Sequence, residues 1–353
     1  MGRSVSCPGY LSQVAAGGRR PVTPADTITP FHDPAVRDLA WLLFSPDLLS
    51  ASHAGAPLAR PTATEIEREA ALVWLAALDR DPAALHAQVH KPSLTRLGFY
   101  AEALLEYFLT HGPHARLIAA NIPLRTAERT LGEVDFLLEN VRGDRLHWEL
   151  AVKFYLHIGE GKGAATLAHY VGPNLQDRFD LKHARLLNHQ LGLSARDEFV
   201  TLGFEGPWRA EMFVKGRLFY RDDGLNRSLV SNPPPELAGD HLRGWWKTAS
   251  EWRDSKADGL FASLPRLGWM AERILSAQEG DALVEQTAVL SERVATLSSP
   301  IMVARYERYE RYDGHDSSTG DVWREHSRGF IVPDEWPARA ADFATDFATD
   351  FAT

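Results

Sequence analysis

The sequence predicts an α/β core with helical residues before it and mixed structure after it, on two observations. After Gly112 and Pro113 the spacing of apolar residues changes from about 3.6 to 2, the step from a helical to a strand repeat. The pattern then runs as three alternating stretches, one helical stretch and one further alternating stretch, so the predicted order is helix, three strands, helix, strand.

Each element has a local reason. Residues 1–30 are rich in Gly, Pro, Ser and Thr without either period and read as a flexible leader. In a helical extension over 31–92, Val36, Leu39, Leu42 and Leu43 keep helical spacing after the start signal Asp33–Pro34, and Thr64 stands three residues before Glu67, a capping box. The core is predicted over 93–221. Its first helix, "SLTRLGFYAEALLEYFLTHG", stripes Leu97, Leu104, Leu105 and Phe108 beside Glu102 and Glu106. "ARLIAANIPLR", "GEVDFLL" and "LHWELAVKFYLHI" are the strands, "PNLQDRFDLKHARLLNHQLGL" the second helix and "AEMFVKGRLFY" the last strand.

Residues 222–340 read as additions packed on that core. They include "SNPPPE" as an exposed turn or linker, a helix in "DALVEQTAVLSERVATL", a strand in "IMVARY" that continues as an edge strand, and a short helix after "RGFIVPDEW". The tail over 341–353, "DFATDFATDFAT", repeats a tetrapeptide and reads as a dispensable extension.

Composition excludes several classes. With 353 residues and 44% hydrophobic content, a substantial core is available. No apolar run approaches the roughly 20 residues that cross a bilayer, and the N-terminus lacks an apolar signal core, so the expectation is a cytoplasmic chain without a membrane partner. The one cysteine, Cys7, excludes an intrachain disulfide and a cysteine-built zinc site. The histidines show no His-x-x-x-His pair with an intervening acid, which leaves a zinc hydrolase unsupported. A net charge of −9 argues against a generally basic nucleic-acid coat but permits a local basic lining.

The chemistry concentrates in "GEVDFLLENVRGDRLHWELAVKFYL", Gly132 to Leu156. As a hairpin it puts Val134, Phe136, Leu138, Trp148, Leu150, Val152 and Phe154 on one face. Glu133, Asp135, His147, Glu149 and Lys153 lie on the other. A turn centred on Arg142 makes cross-strand partners sum to 284, which sets Asp135 opposite Glu149 and Glu133 opposite Ala151. Opposed carboxylates repel unless a cation lies between them, and a hard divalent ion such as Mg²⁺ (or Mn²⁺) takes one or two carboxylates with waters or phosphates. Lys153 adds a point charge for a phosphate. The competing reading is a solvated outer face of an ordinary amphipathic hairpin.

These stretches, with "YVGPNLQDRFDLKHARLLNHQL", resemble a bacterial family known as domain of unknown function 1853 (DUF1853), from about residue 33 to about residue 340. That family is placed in the PD-(D/E)XK nuclease-like superfamily. The resemblance therefore implies a restriction-endonuclease-like core and a Mg²⁺-dependent nuclease, with Asp135, Lys153 and Glu102, or less well Glu106, at the matching positions. It departs at Ala151, where the carboxylate two residues before the lysine should stand; the nearest upstream acid is Glu149. Four strand residues span roughly 13 Å against roughly 7 Å for two, so Glu149 and Lys153 do not straddle one ion without a bulge or a long reach. Either Asp135 and Glu149 bind the ion while Lys153 meets the flanking phosphate, or Glu133 supplies the missing carboxylate.

Nucleic-acid contacts are expected from Lys162 in the glycine-rich connection and from Gln176, Arg178, Lys182 and His183 on the second helix. Besides the nuclease, two other readings stand: a non-catalytic module of the same fold binding nucleic acid or protein, and a scaffold with no nucleic-acid partner.

Overall fold

The computed structural model describes residues 31–159, 164–204, 206–222, 230, 232–255, 259–309 and 322–346. Four helices lead into the sheet. Helix α1 (Pro34–Phe44) is capped by Asp33, whose side chain accepts from the amides of Ala35 and Val36, and α2 (Glu65–Arg80) opens on the Thr64–Glu67 capping box. Helices α3 (Ala83–Val89) and α4 (Leu97–His111) follow. Helix α1 is buried almost all round, including Trp41, because α2, α3 and α4 pack against it.

Strands β1 (Ala115–Arg125), β2 (Thr130–Asn140) and β3 (Arg145–His157) form an antiparallel meander. The β2–β3 turn is built by Asn140, whose Oδ1 accepts the amides of Arg142 at 2.9 Å and Asp144 at 3.0 Å, while Gly143 takes φ +80°. That turn sets the register: Phe136 pairs with Trp148 and Glu139 with Arg145, each pair summing to 284. After the two-residue β4 (Tyr170–Val171) come α5 (Phe179–Asn188), a 3₁₀ turn over Gln190–Ala195, the short α6 (Asp197–Val200) and β5 (Arg209–Arg221). Strand β5 lies parallel to β3, with Lys153 beside Gly216, so α5 is the crossover of a β-helix-β unit.

The C-terminal residues do more than cover this core, because they continue its sheet. Strand β6 (Arg243–Thr248) pairs parallel to β5. Then come α7 (Ala249–Asp254), β7 (Leu260–Ser263), β8 (Ile274–Leu275), α8 (Ala277–Asp281), α9 (Leu283–Ala295), β9 (Ile301–Tyr309) and β10 (Val322–Val332). The main path of the ten-stranded mixed sheet is β1-β2-β3-β5-β6-β10-β9-β7, with β4 on β3 and β8 on β10.

Three expectations are refined. Strand β9 is flanked by β10 and, over Val303–Tyr306, by β7, so the stretch read as an edge is one only from Glu307 to Tyr309, where its side chains are exposed; residues 310–313 lie outside the described residues. The proline-rich stretch is a turn rather than a linker: the Ser50 amide donates to the Glu236 carbonyl and the Ala238 amide to the Leu48 carbonyl, which ties it to the segment after α1. Part of the expected dispensable tail is structure: helix α10 (Trp336–Asp346) runs through residues 341–346, and its Phe343 packs against the core. No helix among the described residues is long and apolar enough to cross a membrane.

Candidate functional site

The face of β3 that carries His147, Glu149, Ala151 and Lys153 is covered by α5 and the 3₁₀ turn after it. His147 and Glu149 are 0% exposed. A solvated outer face is thereby excluded, and each charged group there needs a partner.

The β2–β3 ladder stops at Phe136–Trp148, and one residue further on the Asp135 carboxylate enters the gap, accepting the Leu150 amide on Oδ2 at 2.8 Å. Glu149 is held from two sides. His147 Nε2 lies 2.8 Å from its Oε1, and Gln190 Nε2 donates to its Oε2 at 2.5 Å. Gln190 Oε1 in turn accepts from Lys182 Nζ at 2.7 Å. Asp135 and Glu149 stand within hydrogen-bonding reach of each other, and Glu102 on α4 meets the field of both and of Glu133.

The electrostatics follow from that crowding. Burial, then the neighbouring Glu149 charge, pushes Asp135 up to about 7, against the pull of the Leu150 amide and Lys182. Burial raises Glu149 to about 7 against Lys182 and its hydrogen bonds. Glu102 rises to about 7 through burial and then the charges of Asp135, Glu133 and Glu149. Burial and the nearby Lys153 lower Lys182, while Asp135 and Glu149 pull it back up. Three carboxyls from three elements thus share one cation, Lys182, and each is driven toward its protonated form near neutrality.

His147 has its pKa lowered to about 4 by burial, so the ring is neutral at pH 7. With Nε2–H donating to Glu149, Nδ1 is left to accept from the Ser194 hydroxyl at 2.9 Å, a tautomer assigned from these partners. Ser194, His147 and Glu149 form a line like a hydrolase triad, but all three are buried and the carboxylate belongs to the acid cluster. The relay orients Glu149.

The other expected site residues fall as follows. Lys153 does not reach the cluster; it pairs with Asp177, which also accepts from Tyr155 Oη at 3.1 Å. Ala151 is buried in an apolar cluster with Tyr155, Phe179 and Val214, where a carboxylate would be unsolvated. Glu133 is exposed and pairs across to Pro123 on β1, so the β2–β3 ladder does not bring it opposite Ala151.

On the second helix the expected exposed basic face is largely spent on structure. Arg178 is 3% exposed, bonded to Asp180 and donating to the Ala344 carbonyl at 2.8 Å, which withdraws it from any phosphate. His183 Nε2 lies 2.8 Å from the Ala54 carbonyl. Lys182 turns to the acids, Gln176 stays exposed on the preceding loop, and Lys162 lies outside the described residues. Pattern reading missed Gln190, Ser194 and Asp177; a polar residue in a loop carries no sequence signal for which strand it will meet.

The donor set of Asp135, Glu149 and Glu102 is all hard oxygen, which suits Mg²⁺ or Mn²⁺, and such an ion requires only one or two carboxylates. Among the described residues no group of three or more His, Cys, Asp or Glu is arranged to hold a metal, so a fit rests on the Asp135–Glu149 pair.

The fold and site define a mixed α/β protein with an acid cluster on its sheet, in which Glu149 is buried beneath the crossover and Asp135 and Glu102 are half-buried. The chain belongs to the family described as domain of unknown function DUF1853, whose model matches residues 37–332. No curated protein and no solved structure matches it.

Proposed function

We propose that the chain is a Mg²⁺- or Mn²⁺-dependent phosphodiesterase acting on nucleic acid, with a PD-(D/E)XK-type, restriction-endonuclease-like core. The observation that carries this reading is the Asp135 carboxylate set in the gap of the β2–β3 ladder beside the covered Glu149, with Glu102 of α4 in the field of both and Lys182 held next to them by Gln190. Like charges buried together weaken a fold unless a cation joins them. Asp135 and Glu149 would hold the ion, which when bound supplies a Lewis acid to the phosphodiester.

The chain's own groups have the remaining roles. Glu102, near 7, can take a proton from an attacking water at its carboxylate. Lys182, fixed by Gln190, balances the carboxylates. Lys153, 27% exposed beside Asp177, would meet a backbone phosphate. His147 and Ser194 position Glu149.

A second reading, a non-catalytic module of the same fold that binds nucleic acid or protein, is favoured by Ala151 lying in an apolar cluster and by the Lys153–Asp177 pair.

The test is titration calorimetry of Mn²⁺ and Mg²⁺ into the protein and into Asp135→Asn, followed by incubation with end-labelled single- and double-stranded DNA and RNA. The nuclease reading expects metal binding and cleavage by the native chain and neither by the variant. Salt-dependent nucleic-acid binding without cleavage would replace it with the module. Absence of metal binding, alone and with nucleic acid present, would remove the cluster as a metal site.

A further inference from the structure

A second concavity lies away from the acid cluster, where α1, the segment after α3 and the start of α4 meet the β7 end and the α8–α9 region. It encloses about 830 Å³, the size of a small-molecule site. Most of its wall is apolar, including Val89, Leu94, Leu264, Leu267 and Leu275.

The polar groups of the wall are unequal. Asp38, 1% exposed, is already satisfied: it accepts from the Ala271 amide at 3.0 Å, from Tyr100 Oη at 3.0 Å and from Arg273 Nη2 at 3.4 Å. Glu279 turns its carboxylate to the Ser276 amide and hydroxyl, each at 2.8 Å. His90, Lys91, Thr95, Ser263 and Gln286 stand exposed at the rim, and two donors are left over on the inner wall. Arg273 spends one N–H on Asp38, and its Nε and Nη1 bond nothing among the described residues. Its main chain is clamped to Glu325 by reciprocal bonds, both 3.0 Å, and Gly268 leaves room beside the guanidinium, so the group is pre-set rather than free to swing. Tyr306 is 3% exposed, lines the cavity and has no hydrogen-bond partner for its hydroxyl among the described residues. Behind them Arg37 is 4% exposed with Nε unpartnered.

A hydroxyl on a buried ring and a guanidinium with open donors, beside a largely apolar inner wall, select an acceptor head on an apolar body. We propose that this cavity binds a small organic carboxylate, its carboxylate on Arg273 and Tyr306 and its apolar body against Leu264, Leu267 and Leu275. The site is independent of the phosphodiesterase reading.

The test uses the fluorescence of 8-anilinonaphthalene-1-sulfonate, displaced by decanoate or by decanol, which has the same length of chain without the charge. Tyr306→Phe removes only an unpartnered hydroxyl and should leave the melting temperature unchanged. Ala282→Trp places an indole at an exposed lining position. The expected result is one dye per chain, displaced by decanoate at concentrations at least tenfold below those needed for decanol. Decanoate should bind about tenfold more weakly to Tyr306→Phe, and dye binding should be lost in Ala282→Trp. Equal displacement by decanoate and decanol, dye binding unchanged in Ala282→Trp, or no dye binding would each overturn the proposal.

Discussion

Asp135 takes the main-chain N–H of Leu150 on Oδ2 at 2.8 Å, at the point where the β2–β3 ladder ends. One side chain therefore does two opposed things: it satisfies an amide that the parted strands leave open, and it buries a negative charge beside Glu149.

The two effects separate by substitution and pH. Folded Asp135 lies near 7, against roughly 4 unfolded, so its contribution is fully present below about pH 4 and is lost as pH rises through about 7. His147 and His157, both lowered to about 4 by burial, work the other way, their contribution being present above roughly 6.5 and lost as pH falls toward 4. The native pH profile is thus a sum, and the difference between native and variant reads Asp135 together with its coupling to Glu102 and Glu149. Asp135→Asn keeps an acceptor for Leu150 and removes the charge. Its melting temperature should gain on the native chain between pH 5 and pH 8, by roughly 2–4 °C for each ~1 kcal/mol relieved. A difference that stays flat with pH would mean that Asp135 is not strained by its neighbours.

His147→Phe should lower stability by about 1–3 kcal/mol, since it leaves the buried Glu149 Oε1 and Ser194 hydroxyl without their partner. Ser194→Ala should cost only about 1 kcal/mol, because the imidazole keeps its bond to Glu149. Urea unfolding of the two variants measures the gap. Equal losses would show that the Ser194 end anchors the relay.

Gly216, beside Lys153 in the parallel ladder, has φ +153°, and a Cβ there would run into the Lys153 carbonyl. Gly216→Ala should cost on the order of 3 kcal/mol or more and displace β5 from β3. Chemical unfolding reads the loss, and a variant as stable as the native chain would show that the two strands can part without consequence.

Removing residues from 341 onward deletes the Phe343 and Ala344 carbonyls that Arg178 bonds, leaving a buried guanidinium short of acceptors. The melting temperature should fall by several degrees, and Arg178→Met in the truncated chain should recover part of the loss. An unchanged melting temperature would restore the reading of residues 341–346 as dispensable.

Sequence pattern alone determined the main elements from α4 to β5, though not the two-residue β4 or the short α6, because the change of apolar period is local physics, as are the capping signals at Asp33 and Thr64 that start α1 and α2. It also determined the 284 register, since the turn around Asn140 and Gly143 sets which residues of β2 and β3 face each other. The repeat in the tail did not show that residues 341–346 contact the core, because Phe343 and Ala344 bond Arg178 through main-chain carbonyls, which composition does not encode. Tertiary structure alone decided that the charged face of β3 is covered, that Lys182 rather than Lys153 stands with the acids, and that Arg178 is locked to α10. Those outcomes depend on where the crossover helix comes to rest on the sheet, a matter of packing between residues some thirty to forty apart in sequence or more, and a single chain's pattern carries no signal for which long-range partner each buried charge will find.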